Sequence, residues 1–207
     1  MADPRRFAAA LLVVVGIAAC DAGPASPPSG SAPMVVRAGT AGPTSPAAAV
    51  APNGLDLLFA KMMLGHHAQA VSMSRTLLAK PGVPERVANI AGFIAHDQQR
   101  EIDEMSAWLR AWGQDPADPA IARLHGSGGG HGMLTDAQLA EIAGAAPAQA
   151  TDLYLRYMIE HHRGAVTMAR SALDGGVNTY VRGLAKHVIN EQTAENDAMG
   201  RLLAEPS

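Results

Sequence analysis

Tyr154-Leu155-Arg156-Tyr157-Met158-Ile159-Glu160-His161-His162-Arg163-Gly164-Ala165-Val166-Thr167-Met168-Ala169-Arg170 is the second of two related stretches. The first reads Phe59-Ala60-Lys61-Met62-Met63-Leu64-Gly65-His66-His67-Ala68-Gln69-Ala70-Val71-Ser72-Met73-Ser74-Arg75. At a constant offset of 95 residues, Met63 matches Met158, His66-His67 matches His161-His162, Met73 matches Met168 and Arg75 matches Arg170. A second block follows each copy at an offset of 94: Asp97-Gln98-x-x-Glu101-x-x-x-Met105 against Glu191-Gln192-x-x-Glu195-x-x-x-Met199. The one-residue change falls in the intervening turn, where insertions and deletions are tolerated. Three matched pairs take up six of the ten methionines, so the chain carries an internal duplication.

Each block reads as helix, with apolar residues recurring at three and four. Lys80-Pro81-Gly82-Val83-Pro84 ends the first helix and starts the second, with Pro84 suited to a first helical position. Asp174-Gly175-Gly176 ends the third, with glycine suited to the C′ site. A loop from about 113 to 134 joins the copies, and Thr135-x-x-Gln138 reads as the capping box of a short connecting helix. One helix pair alone leaves an apolar stripe exposed. Two pairs together predict an all-α fold, a four-helix bundle formed by duplicated helix pairs.

The bundle does not use the whole chain of 207 residues. Arg5-Arg6, the short apolar run from Phe7 to Val15 and Ile17-Ala18-Ala19-Cys20 read as a signal peptide over residues 1–20. Small residues leading to a cysteine resemble the lipobox of bacterial lipoproteins, which predicts acylation at Cys20. Cys20 is the one cysteine, so no intramolecular disulfide forms. Residues 21–53 are rich in Pro, Ser, Ala and Gly and read as a disordered tether. The folded domain is expected over 54–205. The expected location is therefore extracytoplasmic, with the protein attached to a membrane through its N-terminal lipid. A net charge of −3 argues against a nucleic-acid partner. A homo-oligomer is compatible with the sequence.

Spacing then places chemistry. At about 100° per residue, Met62, His66 and Met73 share one helical stripe. Met63 and His67 form an adjacent pair, repeated by Met158 and His162, while His161 and Met168 repeat the main stripe. Tyr157 replaces Met62 in the second copy. Asp97, Glu101 and Met105 share a face of the second helix, as Glu191, Glu195 and Met199 do on the fourth. Thioether and imidazole together suit copper, Cu(I) in particular. The metal candidates are therefore His66, His67, Met62, Met63, Met73, His161, His162, Met158 and Met168. Asp97, Glu101, Met105, Glu191, Glu195 and Met199 are outer partners or alternative ligands. Glu101 and Glu195 are favoured as acceptors of a histidine N–H, which fixes the tautomer. His125, His131 and Met133 offer auxiliary donors from the loop. His187, four residues before Glu191, makes a further pair with no counterpart in the first copy. Arg75 and Arg170 lie about 180° from the main stripe, at the surface, with Asp97 and Glu191 as candidate partners.

The blocks Met63-Leu64-Gly65-His66-His67-x5-Met73 and Met158-Ile159-Glu160-His161-His162-Arg163-Gly164-Ala165-x2-Met168 resemble the bacterial family known as domain of unknown function 305. Gln98-x-x-Glu101-Ile102-x-x-Met105 and Trp108-Leu109 agree with it, and the likeness runs from about Leu55 to Leu203. The resemblance implies a ferritin-like bundle in an exported protein, with copper binding in some relatives. Gly65 and Ala68 stand where members often carry more polar residues, which predicts a weaker first site. Ferritin-type di-iron chemistry needs Glu-x-x-His on two helices. No such motif occurs: Glu101, Glu160, Glu191 and Glu195 are followed at three residues by Glu104, Arg163, Ala194 and Ala198. No phosphate loop or nucleophile motif is visible either. The expected role is that of a copper binder or buffer rather than an enzyme. A purely structural or interaction bundle and a ferritin-like redox enzyme are the alternatives.

Overall fold

The computed structural model describes residues 50–117 and 130–205. These form five α-helices: α1 (Gly54–Leu78), α2 (Glu85–Ala111), α3 (Asp136–Gly144), α4 (Pro147–Gly175) and α5 (Thr179–Ala204). A 3-10 turn (Gly130–Gly132) precedes α3, and no strand occurs among the described residues. Cys20 and His125 lie outside the described residues. No described helix is long and apolar enough to cross a membrane.

The start of α1 also ties the two halves together. Asn53 Oδ1 accepts from the Leu55 and Asp56 backbone N–H groups at 2.9 and 3.0 Å, and Asp56 Oδ2 accepts from Asn53 N at 2.9 Å. This reciprocal cap satisfies donors that a helix N-terminus leaves open. Asp56 is fully buried and also accepts from Val177 N and Asn178 N, at 3.2 and 3.1 Å, in the turn between α4 and α5. The glycines of that turn serve this contact. A Cβ on Gly176 would lie 2.5 Å from Asp56 Oδ1. Gly176 is extended, with φ −75°, so its role is close approach rather than the left-handed C′ conformation that the sequence suggested.

The connecting helix α3 starts at the anticipated capping box: Gln138 N donates to Thr135 Oγ1 at 3.3 Å and Thr135 N donates to Gln138 Oε1 at 2.9 Å. Its far end is held by Lys80, whose Nζ donates to the carbonyls of Ala143 and Ala145 at 2.7 and 2.8 Å. A cation there meets orphan carbonyls and the negative end of the helix dipole. Pro84 is the N-cap of α2, one position earlier than its sequence context suggested.

The four long helices pack as two antiparallel pairs, α1 with α2 and α4 with α5, joined mainly by α1 against α4. Two apolar layers result. One takes residues 59–64 of α1 and 165–172 of α4, with Met105, Leu109 and the first half of α5. The other takes residues 70–77 of α1 and 150–158 of α4, with the first half of α2, Met199, Leu134 and Ile142. Met63, Met105 and Met168 lie in the first, and Met158, Met199 and Met73 in the second. Met62, which has no methionine counterpart, joins the first layer; of the matched methionines each layer takes two from one copy and one from the other, as two interlocked copies require. Tyr154 stands where the first copy has Phe59. Its buried hydroxyl meets Ser74 Oγ at 2.9 Å, and burial holds it protonated well above the usual phenol range.

Candidate metal centre

Between the two apolar layers lies a polar one. His66, His67, His161 and His162 are all fully buried. His67 Nε2 lies 2.6 Å from Glu101 Oε2, and His162 Nε2 lies 2.7 Å from Glu195 Oε2. The two pairs occupy matched positions of the duplication. A carboxylate at Nε2 takes the ring N–H and leaves Nδ1 with its lone pair in the neutral imidazole. The Nδ1 atoms of His67 and His162 are buried and make no hydrogen bond among the described residues. His66 and His161 face each other, with ring centroids 3.7 Å apart and planes 35° to one another. His66 Nε2 lies 3.0 Å from the carbonyl oxygen of His131, which can only accept, so this nitrogen carries the proton.

The contact to His131 needs an unusual backbone. His131 has φ 57° and Gly132 φ 79°. The loop lies so close to α4 that a Cβ on Gly164 would sit 1.6 Å from the His131 carbonyl oxygen. The matching position in α1 is Gln69, which clamps the same segment. Its Nε2 donates to Leu134 O at 3.0 Å, and its Oε1 accepts from Leu134 N at 2.8 Å. Both copies therefore use one register position to seat the connector, by opposite means.

The structure separates the seven methionines of the helices. Met63, Met73, Met105, Met158 and Met199 are 0–1 % exposed, whereas Met62 and Met168 are each 8 % exposed. Burying a methionine side chain fully stabilises by about 1.5–3 kcal/mol, so core filling alone accounts for the first five. Met62 and Met168 instead line a cavity of about 200 Å³ between α1 and α4, with exposed His131 also on its wall and Phe59, Leu55 and Leu58 around it. The duplicated counterpart would involve Tyr157 and Met73, but Leu134, Leu139 and Ile142 of the connector pack into that layer. The stripe of Met62, His66 and Met73 is thus divided, with Met62 and Met73 in different layers either side of the histidines.

A second constellation lies between α2 and α5. Asp97, Glu101, His187 and Glu191 bring one ligand atom each within 4.8 Å of the others. His187 Nε2 is 2.7 Å from Glu191 Oε2 and 3.1 Å from Glu101 Oε1. Sequence spacing showed the His187–Glu191 pair but not the carboxylates that face it from α2. The arginines are partnered differently from expectation. Arg100, not Arg75, pairs with Asp97, and Arg75 Nη2 donates to Gln99 Oε1 at 3.4 Å. Helix spacing explains this, because Arg100 is three residues from Asp97 on the same helix.

The model for the family described as Domain of unknown function (DUF305) matches residues 56–203, which contain both copies of the repeat. The chain belongs to this family. A DUF305 fragment from Deinococcus radiodurans is 31 % identical with a TM-score of 0.65, covering 73 % of this chain and 97 % of that one. A DUF305 protein of Streptomyces coelicolor, assigned as secreted, is 33 % identical with a TM-score of 0.65, covering 72 % and 92 %. CopM in its Cu(I)-bound form is 30 % identical with a TM-score of 0.57, covering 71 % and 94 %. Its Cu(II)-bound form gives 32 %, 0.61, 72 % and 95 %. The same protein is also known with silver bound. No functionally curated protein matches the chain.

In this DUF305 chain the cluster between α2 and α5 carries a titration with a stability consequence. Burial, and then the Asp97 carboxylate, push Glu191 up to about 7 from an ordinary 4.5; His187 opposes them, and Glu195 and Glu101 add smaller upward shifts. A carboxyl raised in the folded state keeps its proton where the unfolded chain has lost it. The fold's stability therefore declines as pH rises from about 4.5 to 7, and the full penalty holds above that window. Glu191→Gln in the metal-free protein is expected to raise Tm at pH 8 and leave it nearly unchanged at pH 4. Thermal unfolding at the two pH values checks this; an equal shift at both would contradict it.

Proposed function

We propose that the protein binds copper, as Cu(I), outside the cytoplasm, through the methionine and histidine side chains gathered at the α1–α4 cavity. The observation that carries this is that Met62 and Met168, members of the first apolar layer, also line the α1–α4 cavity. Two thioethers reach a cavity that an imidazole, His131, also lines, and the carbonyl of His131 lies 3.0 Å from Nε2 of buried His66, which faces His161. Soft thioether with imidazole is a donor set for Cu(I). Bound to Glu101 and Glu195, His67 and His162 present Nδ1 as further nitrogen donors. Met63, Met73 and Met158 flank these histidines within the two layers. CopM, a relative of like sequence and fold, is known with Cu(I), Cu(II) and silver bound, which supports copper as the metal.

Anaerobic titration with Cu(I) against a competing chelator tests the proposal. Uptake is expected in the unmodified protein. Met62→Leu with Met168→Leu, a volume-conserving change, is expected to weaken it by at least about tenfold. A structural bundle without metal predicts no uptake, and uptake indifferent to both methionines would place the site elsewhere.

Export completes the proposal. The basic start, short apolar run and Ile17-Ala18-Ala19-Cys20 support a lipid anchor at Cys20, with residues 21–53 as tether. Cys20→Ser is expected to move the protein from the membrane to the soluble fraction, and continued membrane retention would count against the anchor.

A further inference from the structure

We propose that Asp97, Glu101, Glu191 and His187 form a second metal site, for a divalent transition ion held by three carboxylate oxygens and one imidazole nitrogen. The residues come as two i, i+4 pairs on facing helices, Asp97 and Glu101 on α2 and His187 and Glu191 on α5. Such spacing aims both members of a pair the same way. Their ligand atoms lie within 4.8 Å of one another, within side-chain reach of a common ion.

The unmet chemistry of the oxygens points to a cation. Glu101 is 2 % exposed, and its Oε1 accepts no hydrogen bond, although it faces His187 Nε2 at 3.1 Å. Asp97 Oδ2 is likewise buried with no hydrogen-bond donor, because Arg100 engages the other oxygen, Oδ1. Buried carboxylate oxygens are costly unless paired or bound to metal. Three carboxylates around one imidazole leave an excess of negative charge that a divalent ion offsets. His187 is half exposed, with 46 % of its side chain open to solvent, which gives an entry path.

The duplication makes the site one-sided. Asp97 matches Glu191 and Glu101 matches Glu195, so acidic residues recur in both copies. The position matching His187 is Phe93, which is 53 % exposed. Only the Glu101 side therefore has the nitrogen donor. The donor set has no sulfur, so it favours a borderline or hard divalent ion over Cu(I) or silver. It is independent of the methionine-lined cavity. Glu101 nevertheless touches both centres, with Oε2 on His67 and Oε1 in the cluster. For that reason Glu101 is left intact in the test.

Co(II) is the probe, because it reports its ligands through d–d absorption and thioethers bind it poorly. Titration of the full chain is expected to show one saturable equivalent with the spectrum of a nitrogen- and oxygen-ligated ion, displaced by Zn(II). His187→Ala and Glu191→Gln are each expected to weaken binding on the order of 100-fold and to alter the spectrum. Far-UV circular dichroism confirms that both variants fold. In the same His187→Ala protein, Cu(I) uptake is expected to be unchanged. Absence of saturable Co(II) binding, or binding that survives both substitutions, would overturn this site without touching the Cu(I) reading. Absence of Cu(I) uptake in the unmodified protein would overturn that reading and leave this one standing, whereas Cu(I) uptake lost only in His187→Ala would show one shared site and overturn this one.

Discussion

Gly164→Ala is expected to destabilise the domain by about 1–3 kcal/mol, the usual range for overpacking a filled site. The new Cβ would stand 1.6 Å from the carbonyl oxygen of His131, and 2.2 Å from its carbonyl carbon. Both obstacles are backbone, so no rotamer change relieves the clash and the connector must lift from α4. Lifting it removes the acceptor of His66 Nε2 and moves His131 from the wall of the cavity. At about 2–4 °C per kcal/mol for a chain of this size, the change is readily seen in thermal unfolding. Gly92→Ala is the control. It lies within α2, where an added Cβ meets nothing within 4 Å, and is expected to stabilise by roughly 0.5–1 kcal/mol. Equal Tm values for Gly164→Ala and the unmodified protein would show that the loop is not seated against α4.

Glu101→Leu is expected to cost more. It leaves the Nε2 of a fully buried His67 without its acceptor at 2.6 Å. An orphaned buried donor costs about 1–3 kcal/mol, and more where the hydrogen bond lost was to a charged group. The double change Glu101→Leu with His67→Leu removes both partners, so it is expected to recover much of that loss in a urea-unfolding cycle. If the double variant is no more stable than Glu101→Leu alone, the pair is not the source of the cost. Replacing such a pair by well-packed apolar residues is often neutral or stabilising. Twice placing His with Glu in a buried layer is thus poorly explained by stability. Orientation of a ligand nitrogen explains it better.

Much of the fold was legible because the repeat carries it. Matched His, Met and Glu positions at a fixed offset show two equal helix pairs, and Thr135 with Gln138 shows the connecting helix. The site was less legible, for a physical reason. Helical periodicity puts Met62, His66 and Met73 on one face, but does not say which of them reaches solvent. That depends on the connector, which packs Leu134 and Ile142 over one half and leaves the other half with a cavity. Gly164 and Gln69 do hold matched positions in the sequence, yet their shared task of seating that connector shows only in three dimensions. Sequence spacing pairs His187 with Glu191 alone, because Asp97 and Glu101 face it from another helix. Gly176 fits a C′ glycine by sequence, whereas in the structure its need is space for Asp56.

X-ray absorption at the copper edge tests the central claim most directly, on Cys20→Ser protein loaded with one equivalent of Cu(I). Cys20 is the single cysteine, so in that variant any sulfur bound to copper is a thioether. The expected result is a first coordination sphere containing both sulfur and imidazole nitrogen, with the sulfur lost in Met62→Leu, Met168→Leu protein. A sphere of nitrogen and oxygen alone would contradict it.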